Sequence, residues 1–241
     1  MTIAYDGREF FGWQRHGDTP TIQHALERGL CAVFGREVEV RGSGRTDRGA
    51  HARGQVASAF LPTGIDARTG LAALNDVLPE QIRVLELVAA PEDFHARASA
   101  VGKTYRYLIH NAKECPAEVE GRVWHVPEAL DVDAMRAALP MFMGTHDFGS
   151  FATKAKHERR SNIREITEFA LEHEPPAIEL WIRADGFLYK MVRNIVRAIV
   201  KVGEGRYTVA DLRRILAARD RKAAPGTAPA SGLYLERVDY A

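Results

Sequence analysis

The sequence predicts an α+β protein of two similar halves, each with antiparallel strands backed by helices. Three observations predict it. Runs alternating with period two and runs with helical period follow one another in a similar mixed order in both halves of the 241-residue chain. Residues 162–172 and 177–184 alternate on either side of Glu174–Pro176, which reads as a hairpin. No long linker divides the halves, so the strands are expected to form a shared sheet flanked by helices. The division is drawn between residues 1–102 and 103–241.

A patterned strand opens the first half. Residues 20–34 read as a helix, because Ile22, Ala25, Leu26, Leu30, Val33 and Phe34 recur at helical spacing. Thr19 is expected to cap it and Pro20 to sit in its first turn. Residues 36–41 and 54–61 alternate as strands, 65–76 read as a short helix, and 81–89 alternate again through Ile82, Val84, Leu85 and Leu87. In the second half, 103–110 and 122–126 read as strands and 131–142 as a helix entered near Leu130 and Val132. The hairpin follows. Residues 188–202 then make the strongest helix, with Leu188, Met191, Val192, Ile195, Val196, Ile199 and Val200 in one apolar stripe. A further helix spans about 208–219, the Ala/Pro/Gly-rich 221–231 reads as a loop, and 233–239 closes as a strand.

Composition narrows the class. With 46% hydrophobic and 27% charged residues the chain can bury a core and is not of disordered type. No apolar run approaches the roughly 18 residues of a membrane span, and no basic-then-apolar leader precedes the first patterned segment, so neither a membrane anchor nor a signal peptide is expected. The cysteines, Cys31 and Cys115, form no CxxC pair and have no histidine at zinc-ligand spacing, so no metal is expected. Two lone thiols fit a reducing cytoplasm. The formal net charge of +1, from 33 basic and 32 acidic residues, does not by itself mark a nucleic-acid binder; a local basic patch would.

Such a patch lies in residues 42–54, GSGRTDRGAHARG, with four glycines, three arginines, one histidine and a single acid, Asp47. The segment falls between two expected strands, where a scaffold presents functional loops. Glycines allow sharp turns and close approach. Arg45, Arg48 and Arg53, with Arg41 just before them, supply cations suited to phosphate. A lone carboxylate among arginines is expected to work as the anion, as nucleophile or base. Asp and Gly are also ordinary turn residues, and Arg–Asp pairs are often plain surface ion pairs. The segment has neither the GxxxxGK[ST] order nor a GxGxxG fingerprint.

GRTDRGAHARGQV resembles the signature loop of the TruA family of tRNA pseudouridine synthases. Further blocks resemble that family in the same order: YDGREFFGWQR at 5–15, DFHAR at 93–97, KTYRY at 103–107, GTHDFGSF at 144–151, FLYKMVRNIV at 187–196 and GLYL at 232–235. Two positions depart from it, Arg48 where Ala is frequent and Lys190 where His or Gln is frequent.

The resemblance implies an isomerase that cuts uracil from its ribose, turns it, and rejoins it through carbon, without a metal or redox cofactor. It implies two RRM-like or ferredoxin-like halves, a homodimer in the cytoplasm, and tRNA as substrate, modified on the 3′ side of the anticodon stem-loop. By the same resemblance Asp47 is the catalytic aspartate, attacking C1′ or removing the C2′ proton. Tyr105 is the active-site tyrosine, stacking on uracil and able to move a proton, although alternating Tyr105 and Tyr107 also suit a buried strand. Arg193, off the apolar stripe of its helix, pairs with Asp47, or belongs with Lys190, Arg197 and Lys201 to a solvated basic face. Leu233 lines the uracil pocket or simply packs its strand. Arg45 fills the space of a flipped base or meets phosphate. Arg41, Arg48, Arg53, Lys154, Lys156, Arg159 and Arg160 are the remaining candidate backbone contacts.

Two other classes fit parts of the pattern. An RNA-binding module would keep the basic residues but has no need of an acid among arginines. A hydrolytic nucleosidase would use Asp47, yet many glycosidases pair carboxylates about 5–9 Å apart and the loop offers one acid. Asp6 is the alternative partner, though YDG reads more simply as a turn.

Overall fold

The computed structural model describes residues 1–61, 64, 66–153 and 161–241. The chain divides into two compact units, Met1–Val101 with Tyr234–Ala241, and Gly102–Leu233. The first unit contains β1 (Thr2–Tyr5), α1 (Ile22–Phe34), β2 (Arg41–Gly42), β3 (His51–Ser58), α2 (Ala67–Val77) and β4 (Ile82–Glu86). The second contains β5 (Ala100–His110, from Gly102 on), β6 (Trp124–His125), α3 (Val132–Ala138), β7 (Gly144–Asp147), β8 (Ile163–Glu174), β9 (Ala177–Ala184), α4 (Met191–Gly203) and α5 (Val209–Ala218). The chain ends in β10 (Leu233–Tyr240), which from Tyr234 on belongs to the first unit. The fold class is α+β with mostly antiparallel strands and flanking helices, as the patterning predicts.

In the first unit β1 lies between β3 and β4, antiparallel to both, and β10 adds to β3 in parallel with Tyr234 opposite His51. Ile3 and Tyr5 turn to the core while their neighbours are half-buried, the period-two signature of a strand. Helix α1 begins later than expected. Thr21, not Thr19, caps it by accepting the His24 N–H at 3.3 Å. The reason is tertiary. Pro20 O accepts the Phe11 N–H (2.9 Å), and the Ile22 and Gln23 N–H groups reach Gly12 O (3.1 Å) and Trp13 O (3.0 Å), so the approach to the helix is held extended. The helix stops at Gly35, whose φ of 70° is the left-handed cap expected of glycine.

The strand expected at 36–41 is reduced to Arg41–Gly42. Val38 and Val40 are buried between exposed neighbours, so the alternation is real. The backbone of Val40 is satisfied by helix side chains instead of a ladder: its N–H donates to Glu27 (3.2 Å) and its carbonyl accepts from Gln23 (3.0 Å). Strand β3, by contrast, begins at His51, so the HARG end of the glycine-rich segment is strand and not loop.

In the second unit β9 pairs with β5 on one side and β8 on the other, β7 pairs with β8, all antiparallel, and the two-residue β6 runs parallel to the end of β5. Ile178, Leu180, Ile182 and Ala184 of β9 and Ile195, Ala198, Ile199 and Val200 of α4 are each no more than 1% exposed and form the core. Three expectations shift. The helix read over 131–142 ends at Ala138 and tightens into a 3₁₀ turn over Leu139–Phe142, because Pro140 disfavours continued α geometry. The helix read from 188 begins at Met191, because Lys190 is left-handed with φ 60°. Strand β7 lies in a block whose alternation is too short to show a strand. Among the described residues no helix is long and apolar enough to cross a membrane.

Three tyrosine hydroxyls are tied into these cores. Burial pushes Tyr5 up to about 12 against hydrogen bonds with Thr46 and Gln55 that lower it. It does the same to Tyr240, also to about 12, against Ser43. It raises Tyr107, whose hydroxyl donates to Pro229 O at 2.7 Å. A phenol whose folded value exceeds its ordinary 10 stabilises the fold fully below that pH and loses the contribution as pH rises through the folded value. The protein is therefore expected to hold its structure to about pH 10 and unfold on the way to about 12. Circular dichroism followed beside phenolate absorbance checks this; phenolate signal from these tyrosines near pH 10 without loss of structure would contradict it.

Candidate active site

Between β2 and β3 the chain crosses residues 43–50 with its backbone fixed almost throughout. The Ser43 N–H donates to Val56 O (2.8 Å), the Gln55 side-chain amide donates to Gly44 O (2.8 Å), and Trp13 N–H donates to Thr46 O (3.1 Å). Beneath the loop the Thr46 hydroxyl lies 2.8 Å from the Tyr5 hydroxyl, and Gln55 also reaches Tyr5 at 3.4 Å. Tyr5, Thr46 and Gln55 are all buried, so each hydrogen bond matters more than it would in water. Asp47 then opens a tight turn: Ala50 N–H donates to Asp47 O at 3.1 Å, and Gly49 carries the positive φ of 77° that the turn needs. The Asp47 side chain is half-buried.

The YDGREFFGW segment is packed on this loop backbone to backbone. A methyl group on Gly7 would lie 1.9 Å from Ala50 O. One on Gly12 would lie 2.7 Å from Thr46 O and 3.1 Å from Arg48 N, and Gly12 also has φ 89°. Both segments are blocks of the family resemblance, which gave their order along the chain and not their contact. Asp6, considered as a second carboxylate, is engaged in this packing. It holds the Arg8 guanidinium at 2.8–3.0 Å and lies 3.3 Å from His51 Nδ1, which accepts the Gly7 N–H at 3.2 Å. Burial alone would raise the Asp6 carboxyl, but the hydrogen bonds and charge of Arg8 bring it below its ordinary value. The buried His51 ring stacks on Tyr234 with centroids 4.5 Å apart.

The arginines of the loop differ in their engagements. All four are exposed. Arg41 pairs with Glu39 at 2.9 Å, and Arg53 lies 3.9 Å from Glu236 and 5.8 Å from the Tyr234 ring centroid. The Arg48 guanidinium sits 4.0 Å above the Phe11 ring. Lys154, Lys156, Arg159 and Arg160 lie outside the described residues.

The second unit carries three further candidate residues. Tyr105 on β5 stands opposite Ile182 of β9, is 8% exposed, and meets Phe187 edge-on at 5.1 Å. Arg193, in the first turn of α4, is half-buried and its Nε donates to Ala228 O at 2.7 Å, while the Ala228 N–H returns a bond to Arg193 O at 3.2 Å. Leu233, at the start of β10, is 6% exposed, and its N–H donates to Ala230 O. Of the other basic residues on α4, Arg197 lies over the Trp124 ring at 5.2 Å and Lys201 pairs with Glu204.

Several residues that sequence reasoning passed over hold these in place. Asn194, fully buried, donates to Phe151 O (2.7 Å) and accepts from Thr227 (2.7 Å) and Arg221 (3.3 Å). Arg221 also donates to Ala224 O (3.2 Å) and Pro225 O (3.0 Å), so the Ala/Pro/Gly-rich segment is pinned to α4 at Arg193 and Asn194. The available signals were a lone Asn inside an apolar helix, and Gln55 and Tyr5 at inward positions of strands. Among the described residues no group of three or more His, Cys, Asp or Glu could hold a metal ion.

The tRNA pseudouridine synthase family model matches residues 1–97 and 138–241. The chain is 40% identical to a tRNA pseudouridine synthase A of Methylacidiphilum infernorum, over 100% of this chain and 94% of the relative. It is 41% identical to the one of Acetivibrio thermocellus and 42% to that of Caldicellulosiruptor bescii, over 100% of this chain and 98% of each relative.

The close approach at Gly7 gives a direct test of how the loop is held. Gly7→Ala must move Ala50 O, and the resulting strain is expected to lower stability by about 1–3 kcal/mol, or roughly 2–4 °C in Tm per kcal/mol for a chain of this size. Thermal unfolding measures it. An unchanged Tm would show that the contact yields without strain.

Proposed function

The chain belongs to the tRNA pseudouridine synthase family and is an isomerase of uridine in tRNA, and on that premise we propose that it acts on the 3′ side of the anticodon stem-loop with Asp47 as the catalytic carboxylate. The observation that carries this reading is the setting of Asp47. It is the one acid of the glycine-rich segment, half-buried, on a backbone fixed from both sides, with exposed arginines before and after it. A reacting carboxylate needs that fixity, because misplacement by about 1 Å can lower a rate about 100-fold.

The reaction breaks the bond between ribose C1′ and uracil N1 and forms one between C1′ and uracil C5, after which the C5 proton must leave. Asp47 serves the first step either by attack on C1′ or by taking the C2′ proton; both end with the carboxylate restored. Tyr105 is the group proposed to stack on the base and move a proton, and its near-complete burial beside Phe187 supports a ring held in one orientation. Arg193 is proposed as the cation that complements the acid and Leu233 as a wall of the uracil site. Arg45 is proposed to occupy the space of the extruded base, and Arg41, Arg48 and Arg53 to meet the RNA backbone. A homodimer working in the cytoplasm completes the proposal.

Unmodified tRNA transcript, digested after incubation and analysed for pseudouridine by nucleoside chromatography, tests the reading. The wild-type protein is expected to convert anticodon-arm uridines, and Asp47→Asn, equal in size but uncharged, to fall to background. Turnover by that variant would remove Asp47 from the chemistry. Tyr105→Phe is expected to bind tRNA normally and to lose roughly 100-fold or more in rate, the usual range for a lost proton-transfer group. Unchanged turnover would leave Tyr105 as a packing residue.

A further inference from the structure

We propose that Phe11 and Arg48 together form a stacking platform for an RNA base neighbouring the target uridine, an inference that rests on the functional reading above. In the FFGW run Phe10 and Trp13 are 7% and 2% exposed, whereas Phe11 is 48% exposed. An aromatic ring left in water forgoes the burial its neighbours gain. It is nevertheless held in place. Phe11 N–H donates to Pro20 O at 2.9 Å, and the next residue, Gly12, is seated against the backbone of Thr46, Asp47 and Arg48. The backbone that bears the ring is thus anchored to the same stretch of chain that carries Asp47.

Arg48 supplies the second surface. Its guanidinium lies 4.0 Å over the Phe11 centroid, and among the described residues no carboxylate pairs with it, unlike Arg41 and Arg53. A guanidinium packed on an aromatic ring adds a cationic, planar group on which a base can stack, and it keeps N–H donors for phosphate. Extruding a uridine leaves its neighbours without a stacking partner, and a flat surface one residue from Asp47 can replace it. An ordinary phosphate contact would need the charge of Arg48 but neither its plane nor the ring below.

Steady-state kinetics and tRNA dissociation constants for wild type, Phe11→Leu, Phe11→Trp and Arg48→Lys separate these roles. Phe11→Leu and Arg48→Lys are each expected to raise KM and Kd about tenfold with kcat changed less than about twofold, and Phe11→Trp to stay near wild type, as loss and retention of one stacked base require. Wild-type affinity for Phe11→Leu overturns the platform. Wild-type affinity for Arg48→Lys overturns it too, leaving Arg48 as a phosphate contact. If Phe11→Leu fails to fold, the exposed Arg48→Lys carries the decision. If wild type makes no pseudouridine, the functional reading falls, and the Kd series alone decides for or against the platform.

Discussion

Peptide groups packed directly on peptide groups at Gly7 and Gly12 are the contact on which the candidate site in the first unit depends. Side chains can relax around a misfit by changing rotamer; two backbones in contact cannot, and the carbonyls of Ala50 and Thr46 leave no room for even one methyl group. Gly42 extends the same logic, since a methyl there would meet the Trp13 ring at 2.5 Å. Trp13 in turn donates its N–H to Thr46 O and packs near Tyr5 at 6.3 Å. The loop is therefore clamped between the N-terminal segment and the Tyr5–Thr46–Gln55 hydrogen bonds. Asp47 inherits its placement from both, and its turn at Gly49 leaves it little choice of direction.

The second unit reaches a similar end by different means. There the candidate residues sit on regular elements, Tyr105 on a strand paired along its length with β9 and Arg193 on the most deeply buried helix, and it is the irregular segment that has to be tied down. Arg193 donates to Ala228 O, Arg221 at the head of the segment donates to Ala224 O and Pro225 O, and Asn194 accepts from Arg221 and Thr227. Pro225 and Pro229 lack N–H groups, so the segment offers acceptors and few donors. Guanidinium groups are the complementary choice, because they bring several donors to one place.

The order and type of most elements were legible because burial in this chain follows period two or period 3.6 closely, as in β9 and α4. Two of the failures share a cause. The start of α1 and the loss of most of the strand at 36–41 both come from long-range partners: the 11–13 backbone in one case, Gln23 and Glu27 in the other. Local pattern reports which side of a segment is buried and not what satisfies its backbone. The late start of α4 turns on one left-handed lysine that nothing in the pattern marks. In the site, Asp47 and its arginines stood out by composition, and the YDG and FGW glycines were visible as a block. Their function as contact points on residues 46–50 needed the three-dimensional arrangement, and so did the engagement of Asp6 by Arg8 and His51.

Charge is unevenly distributed along the chain, which bears on the proposed RNA contacts. The total of 33 basic and 32 acidic residues conceals a separation: residues 41–54 hold four arginines and one acid, while β8 alone carries Glu165, Glu168, Glu172 and Glu174. A polyanion is thus drawn to a few places instead of being held over the whole surface. Each phosphate contact steepens the salt dependence of binding and strengthens it, and an enzyme that must release its modified RNA gains nothing from many of them. A small set of cations can still position a stem when the remaining recognition comes from shape and stacking. The pairing of Arg41 and Arg53 with glutamates moderates two of those cations, and among the described residues no carboxylate is paired with Arg45 or Arg48, the two nearest in sequence to Asp47.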